Sequence, residues 1–230
     1  MKNTKKFDVK RITAAAMFAA LAYAIHFVHI PVMFLNLDFK DVVVAICGMY
    51  FGPLTGLAVA VVVPVIETVT VGGTGIYGMI MNILSSATFV GTASTIYRFR
   101  KTLSGAIAGL CAAVFAMTAV MIAANLLITP YYMGVSVAEV GALIPKLLLP
   151  FNAIKSTLNA SLTLCLYKPL TAVLKRAGFG KGSAGTSLDD QAPSHVNKRH
   201  SILIWIVCGA ITVASLCVIF FVLGGTLAIN

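Results

Sequence analysis

Acidic side chains are scarce in this sequence. Asp and Glu total 7 in 230 residues against 17 Lys and Arg, and charged residues of both signs reach only 10%. Soluble domains carry roughly 25% charged residues, so this balance excludes an ordinary water-soluble fold. Glu67 is the only carboxylate deep enough in an apolar run to couple a proton or sodium ion to transport, which argues against a self-sufficient secondary transporter. A Walker A sequence is missing, so any use of ATP falls to another chain. No serine lies in a GxSxG or comparable context, and no enzymatic activity is expected. The 5 cysteines, Cys47, Cys111, Cys165, Cys208 and Cys217, all sit in apolar runs and form no metal-ligand spacing. They read as small hydrophobes. His26 and His29 are three apart, but nothing joins them at a recognisable spacing, so no metal is expected.

What fills the chain is apolar. Hydrophobic residues make up 59% and the mean hydropathy is +0.96, enough for several spans at about 20 residues each. Apolar runs cover about residues 12–28, 42–71, 79–97, 103–129, 143–174 and 202–229, the second interrupted by "FGPLTG" at 51–56. The basic N-terminus followed by the first run resembles a signal peptide. That run is too long and lacks a convincing cleavage site, which favours a retained helix. The net charge of +10 is not a nucleic-acid footprint, because the charges cluster in short blocks between apolar runs, as cytoplasmic loops do.

Those blocks order the spans. With Lys2, Lys5, Lys6, Lys10 and Arg11 inside, a turn at Gly52–Pro53 divides 42–71 into two spans. Arg98, Arg100 and Lys101 then fall inside, as do Lys168, Lys175, Arg176 and Lys181, leaving only Lys40 and Lys146 outside. The reading is an all-α, multi-pass membrane protein: a six-helix core over 1–177, a polar cytoplasmic linker over 178–200, and an additional transmembrane helix over 201–230. The first half of 42–71 is too short to cross alone. It must start within "LDFKDV" (37–42), tilt, or be shielded by neighbours.

Three segments then face outward, 30–41, 68–78 and 130–144, and the helix after the third holds Lys155 among apolar residues. A lysine near the bilayer midplane costs roughly 2.5–3.5 kcal/mol on insertion scales. Asn152 lies three residues before it on the same helical face, Asn159 extends that face, and Asn125 reaches the same level from the preceding helix. Lys155 therefore either serves a binding site or forms a buried ion pair with Glu67 or Asp38. Asn82 and Asn159 taken singly fit ordinary interhelical hydrogen bonds. In the first helix, Ala15 with Ala19, and Ala16 with Ala20 and Ala24, leave a groove for another helix, from this chain or a partner.

Five stretches occur in one order: "LDFKDV" (37–42), "FGPLTGLAVA" (51–60), "GMIMNILSSATFVG" (78–91), "NLLITPYYMG" (125–134) and "PFNAIKSTLNA" (150–160). Together, over about residues 8–176, they resemble the substrate-binding subunit (S-component) of energy-coupling-factor (ECF) vitamin transporters, of the riboflavin type. The resemblance implies a six-helix fold in a bacterial plasma membrane with both ends of the core cytoplasmic. It implies capture of riboflavin from outside under a loop between the first two helices, then docking on one transmembrane coupling protein and two ATPase subunits. Riboflavin would be cargo, with no cofactor.

By position in those motifs, Asn125, Asn152 and Lys155 would contact the flavin, and the "LDFKDV" segment with Asp38 would cover the site. Ala15, Ala16, Ala19 and Ala20 would form the docking face. Carboxamides and one ammonium suit the flavin's pyrimidine edge, which offers two carbonyl acceptors and one N–H donor, and unmet buried groups cost about 1–3 kcal/mol. Phe39, Tyr77 and Tyr131 are the aromatic candidates for enclosing the ring. The alternatives are the same fold serving FMN or another vitamin. The helix over 202–229 lies outside the resemblance, and either binds a partner or anchors the tail.

Overall fold

The computed structural model describes residues 9–71, 75–174, 176, 198–221 and 228–229. The basic residues Lys2, Lys5 and Lys6, the centre of the glycine-rich patch at 72–74, and residues 178–197 of the expected linker lie outside the described residues. The chain is mostly helical: α1 Val9–His26, α2 Lys40–Phe51, α3 Pro53–Thr70, α4 Gly75–Phe99, α5 Leu103–Met133, α6 Val137–Leu143, α7 Leu149–Leu174 and α8 Lys198–Phe221. A π-helical turn, Ile144–Leu148, joins α6 to α7. Among the described residues, four stretches are long and apolar enough to span a membrane: α3, α4, α5 and the segment from Val137 to Tyr167. Arg11–His26 and Trp205–Ile219 are shorter apolar helices.

Local chemistry sets the breaks. Gly52 adopts φ 104°, a conformation L side chains avoid, and Pro53 at the first position of α3 needs no hydrogen-bond acceptor for its nitrogen. The expected turn at Gly52–Pro53 is therefore present. Thr102 caps α5 by accepting from the Gly105 N–H, and left-handed Gly134 closes it. Ser136 and Glu139 form a reciprocal capping box at the start of α6.

The expected irregular loop between the first two helices is a β-hairpin. Strand β1 (Val28–Val32) pairs antiparallel with β2 (Leu35–Asp38), with Met33 at positive φ in the turn. Strand β3 (Ala228–Ile229) adds to the other edge of β1.

Helix α2 has only 12 residues, about 18 Å of helix at 1.5 Å each, against a hydrocarbon core of about 30 Å. Of the three options for this short helix, two are realised: it starts within "LDFKDV", at Lys40, and it is shielded. All twelve residues are buried, enclosed by α1, α3, α4 and α7. Its tight seam with α3 and α4 depends on missing side chains. A Cβ on Gly56 would sit 2.5 Å from the Gly48 Cα and 2.8 Å from the Val90 Cγ1. Phe18 of α1 and Phe51 of α2 pack edge-to-face, ring centroids 5.9 Å apart, and anchor the cluster at the other side.

This seam yields a test of stability. Gly56→Ala is expected to destabilise the protein by about 1–3 kcal/mol, seen as a lower Tm in detergent. Gly141→Ala, where an added Cβ meets nothing within 4 Å, serves as control and is expected to leave Tm unchanged.

Candidate functional site

Helix α7 carries an unusual polar face because the bundle gives it partners. Lys155 donates to the Asp38 Oδ2 at 3.2 Å and to the Asn36 carbonyl at 3.3 Å, joining α7 to strand β2 of the hairpin. Its ion-pair partner is thus Asp38. Glu67, the other candidate, is taken by Lys40 and lies 3.3 Å from the His26 Nδ1. Lys40 also stands 3.9 Å from the Asp38 Oδ2, and Asp41 accepts a hydrogen bond from Ser86. Three carboxylates and two ammonium groups therefore share one buried cluster. Desolvating any one of these charges without its partners costs several kcal/mol, which holds the cluster together.

Beside this cluster is a cavity of about 720 Å³, counting the part open to solvent. Hairpin residues Phe34, Leu35 and Asn36 form one wall. Helix α4 contributes Tyr77, Gly78, Met81, Asn82 and Ser85; α5 contributes Met121, Asn125, Ile128, Thr129 and Tyr132; α7 contributes Phe151, Asn152 and Lys155.

Asn125, Asn152 and Lys155 do meet, as their spacing predicts. Asn125 donates to the Met121 carbonyl at 2.7 Å and accepts from Thr129 at 2.9 Å. Asn152 donates to the Leu148 carbonyl at 2.7 Å. These bonds fix both carboxamides while leaving each a second N–H and further acceptor capacity. Lys155 keeps one of its three N–H donors beyond those bound to Asp38 and Asn36. Ser85 adds a buried hydroxyl without a hydrogen-bond partner among the described residues. The cavity thus pairs a short polar wall with an aromatic and apolar remainder.

Two aromatic candidates change. Tyr77 lines the cavity, but Tyr131 is 78% exposed and points away from it; Tyr132 takes its place. Asn125, Ile128, Thr129 and Tyr132 follow one helical face at i, i+3, i+4 and i+7, whereas Tyr131 lies off that face. Phe39 packs beneath the hairpin against a cluster containing Ile30, Leu37 and Phe151, and does not line the cavity. Asp38 is not a wall residue either, but holds Lys155 in place. The α4 face with Asn82 and Ser85 was missed as a wall, although 78, 81, 82 and 85 follow the same spacing. Asn159 is fully buried one turn below Lys155, with both carboxamide atoms lacking a partner among the described residues.

Residues 10–167 match the family model described as ECF transporter, substrate-specific component. The chain belongs to that family. It is 31% identical over 189 residues to the riboflavin transporter RibU of Staphylococcus aureus (strain TCH60), covering 76% of this chain and all of that protein. It is 26% identical over 160 residues to the riboflavin transporter FmnP of Bacillus subtilis (strain 168), covering 64% of this chain and 84% of that protein. A solved S-component of a bacterial ECF transporter superposes with TM-score 0.64 at 30% identity, covering 74% of this chain and all of that one. As a family member the protein is a multi-pass membrane component of a transporter. Helix α8 and strand β3 lie beyond the matched residues.

The alanine face of α1 divides in two. Ala15 and Ala19 pack against the S-component's own core, whereas Ala16, Ala20 and Ala24 are exposed. The two readings of the small-residue pattern thus fall on neighbouring stripes of one helix.

The charge cluster predicts a double-mutant outcome. Lys40→Met alone leaves Glu67 buried without its ammonium and is expected to cost about 3–5 kcal/mol of stability. Lys40→Met with Glu67→Gln is expected to recover much of that loss, both read as thermal unfolding in detergent.

Proposed function

We propose that this S-component captures riboflavin at the outer side of a bacterial plasma membrane and delivers it for uptake by an ATP-driven ECF transporter. The observation that carries the reading is the convergence of Asn125, Asn152 and Lys155 on one cavity. Two relatives named riboflavin transporters support the choice of ligand. The polar wall suits the pyrimidine edge of a flavin, since carboxamides supply donors and acceptors together and the ammonium supplies a strong donor to a carbonyl. Tyr77, Tyr132, Phe34 and Phe151 suit the ring system. Riboflavin is cargo, and the protein performs no covalent chemistry on it.

In this reading α1 to α5 and α7 form the six-helix core, with the N-terminus cytoplasmic, and α8 is an added helix after a polar linker. A transmembrane coupling protein and two ATPase subunits supply the energy. The exposed stripe of Ala16 and Ala20 is the docking face, because small side chains let a partner helix approach closely.

The decisive experiment is spectroscopic. Detergent-purified protein is expected to carry a yellow flavin chromophore, or, once stripped, to quench the fluorescence of added riboflavin; absence of both rejects the ligand. Lys155→Ala is expected to weaken flavin binding roughly 10- to 100-fold, the loss of a hydrogen bond to a charged group. Ala16→Leu with Ala20→Leu is expected to abolish riboflavin uptake by cells while binding in detergent stays unchanged. Loss of binding in that variant would return the stripe to internal packing.

A further inference from the structure

We propose that α8 and β3 act as a clamp on the hairpin and thereby set how fast the ligand leaves the site. The inference rests on the reading of the cavity as a flavin site, and goes beyond it to a segment outside the family match.

Three features connect this segment to the hairpin. On α7, Ser161 donates to the Cys208 carbonyl of α8 at 2.7 Å and lies 3.1 Å from the Thr212 hydroxyl. Cys208, Thr212, Ser215 and Ile219 follow at i, i+4, i+7 and i+11, a single helical face. At the outer end of that face Ile219 is fully buried, and with Leu216 it joins Ile30, Val32 and Leu37 of the hairpin in one apolar cluster. Beyond α8, β3 pairs antiparallel with β1, opposing Ile229 to Val28 and Ala228 to His29.

The same hairpin is a wall of the cavity. Phe34, Leu35 and Asn36 line it, and the Asn36 carbonyl accepts from Lys155. The hairpin is therefore held by a polar latch at Lys155, by the apolar cluster it shares with α8, and by β3 along the edge of β1. A two-stranded hairpin is marginally stable by itself, and gains from a third strand and an apolar backing. Outward exchange of a ligand requires this wall to move. Contacts that stabilise the closed wall raise the free energy of local opening and slow exchange in proportion.

The test uses the full chain in detergent. Leu216→Ala with Ile219→Ala removes the backing. It is expected to speed riboflavin dissociation on the order of tenfold, with faster amide hydrogen exchange across residues 28–38. A second variant, Val28→Cys with Ile229→Cys, uses a directly opposed pair whose Cα separation suits a disulfide. Oxidation is expected to slow flavin release, and a reductant to restore it. Unchanged release in both variants overturns the clamp, as does faster hairpin exchange with unchanged release, or failure of the cysteine pair to cross-link. If the wild-type protein binds no flavin, the ligand reading fails separately. Hairpin hydrogen exchange then decides the clamp: faster exchange in the alanine variant supports it, and unchanged exchange overturns it.

Discussion

The ion pair between Lys155 and Asp38 is the constraint on which the cavity end of the molecule depends. Hydrocarbon does not dissolve a lone charge, so each ion buried here dictates where its partner must lie. Lys155 requires Asp38 at the end of β2, which brings the hairpin over α7. Lys40, one residue into α2 territory, requires Glu67 near the end of α3. Together the two lysines hold the hairpin, α2, α3 and α7 in one register, and the cavity is the space left between the hairpin, α7, α4 and α5. A site built this way is preformed, because moving a wall means separating buried charges.

Much of this was legible in the sequence, for reasons that are physical. Basic blocks between apolar runs located the turns, including the break at Gly52–Pro53 within an otherwise continuous apolar stretch. Isolated polar residues in membrane helices have few tolerable environments, so Asn125, Asn152 and Lys155 pointed to one another. Periodicity, applied consistently, would also have found Tyr132 in place of Tyr131, since only the former shares the Asn125 face.

Other features were beyond single-sequence reasoning. The hairpin went unread although its strands alternate, Leu35 and Leu37 against Asn36 and Asp38, and Val28, Ile30 and Val32 against His29 and Pro31, because runs of four and five residues beside membrane helices give that period little weight. The choice between Asp38 and Glu67 as the partner of Lys155 was equally invisible. Both lie at or near the C-terminal ends of their elements, and only the depth at which α2 begins decides which lysine each one meets. The alanines of α1 illustrate the same limit. A four-residue spacing identifies a smooth stripe, but whether it faces the core or the lipid depends on a rotation of the helix of about 100° between adjacent residues, and here Ala15 and Ala16 fall on different sides of that divide.

Charge arrangement also bears on how one lysine could serve both architecture and the proposed ligand. A buried carboxylate stripped of its only cation would oppose any ligand that drew Lys155 toward itself. Asp38 is not in that position, because Lys40 stands 3.9 Å from the same oxygen that Lys155 contacts at 3.2 Å. When Lys155 shares its charge with a carbonyl in the cavity, Asp38 keeps a second ammonium within a short distance, and the desolvation cost of that sharing is reduced. The "LDFKD" segment (37–41) thus acts on the candidate site from behind its wall. Its Asp38 aims the lysine, and its Lys40 frees that lysine to be used.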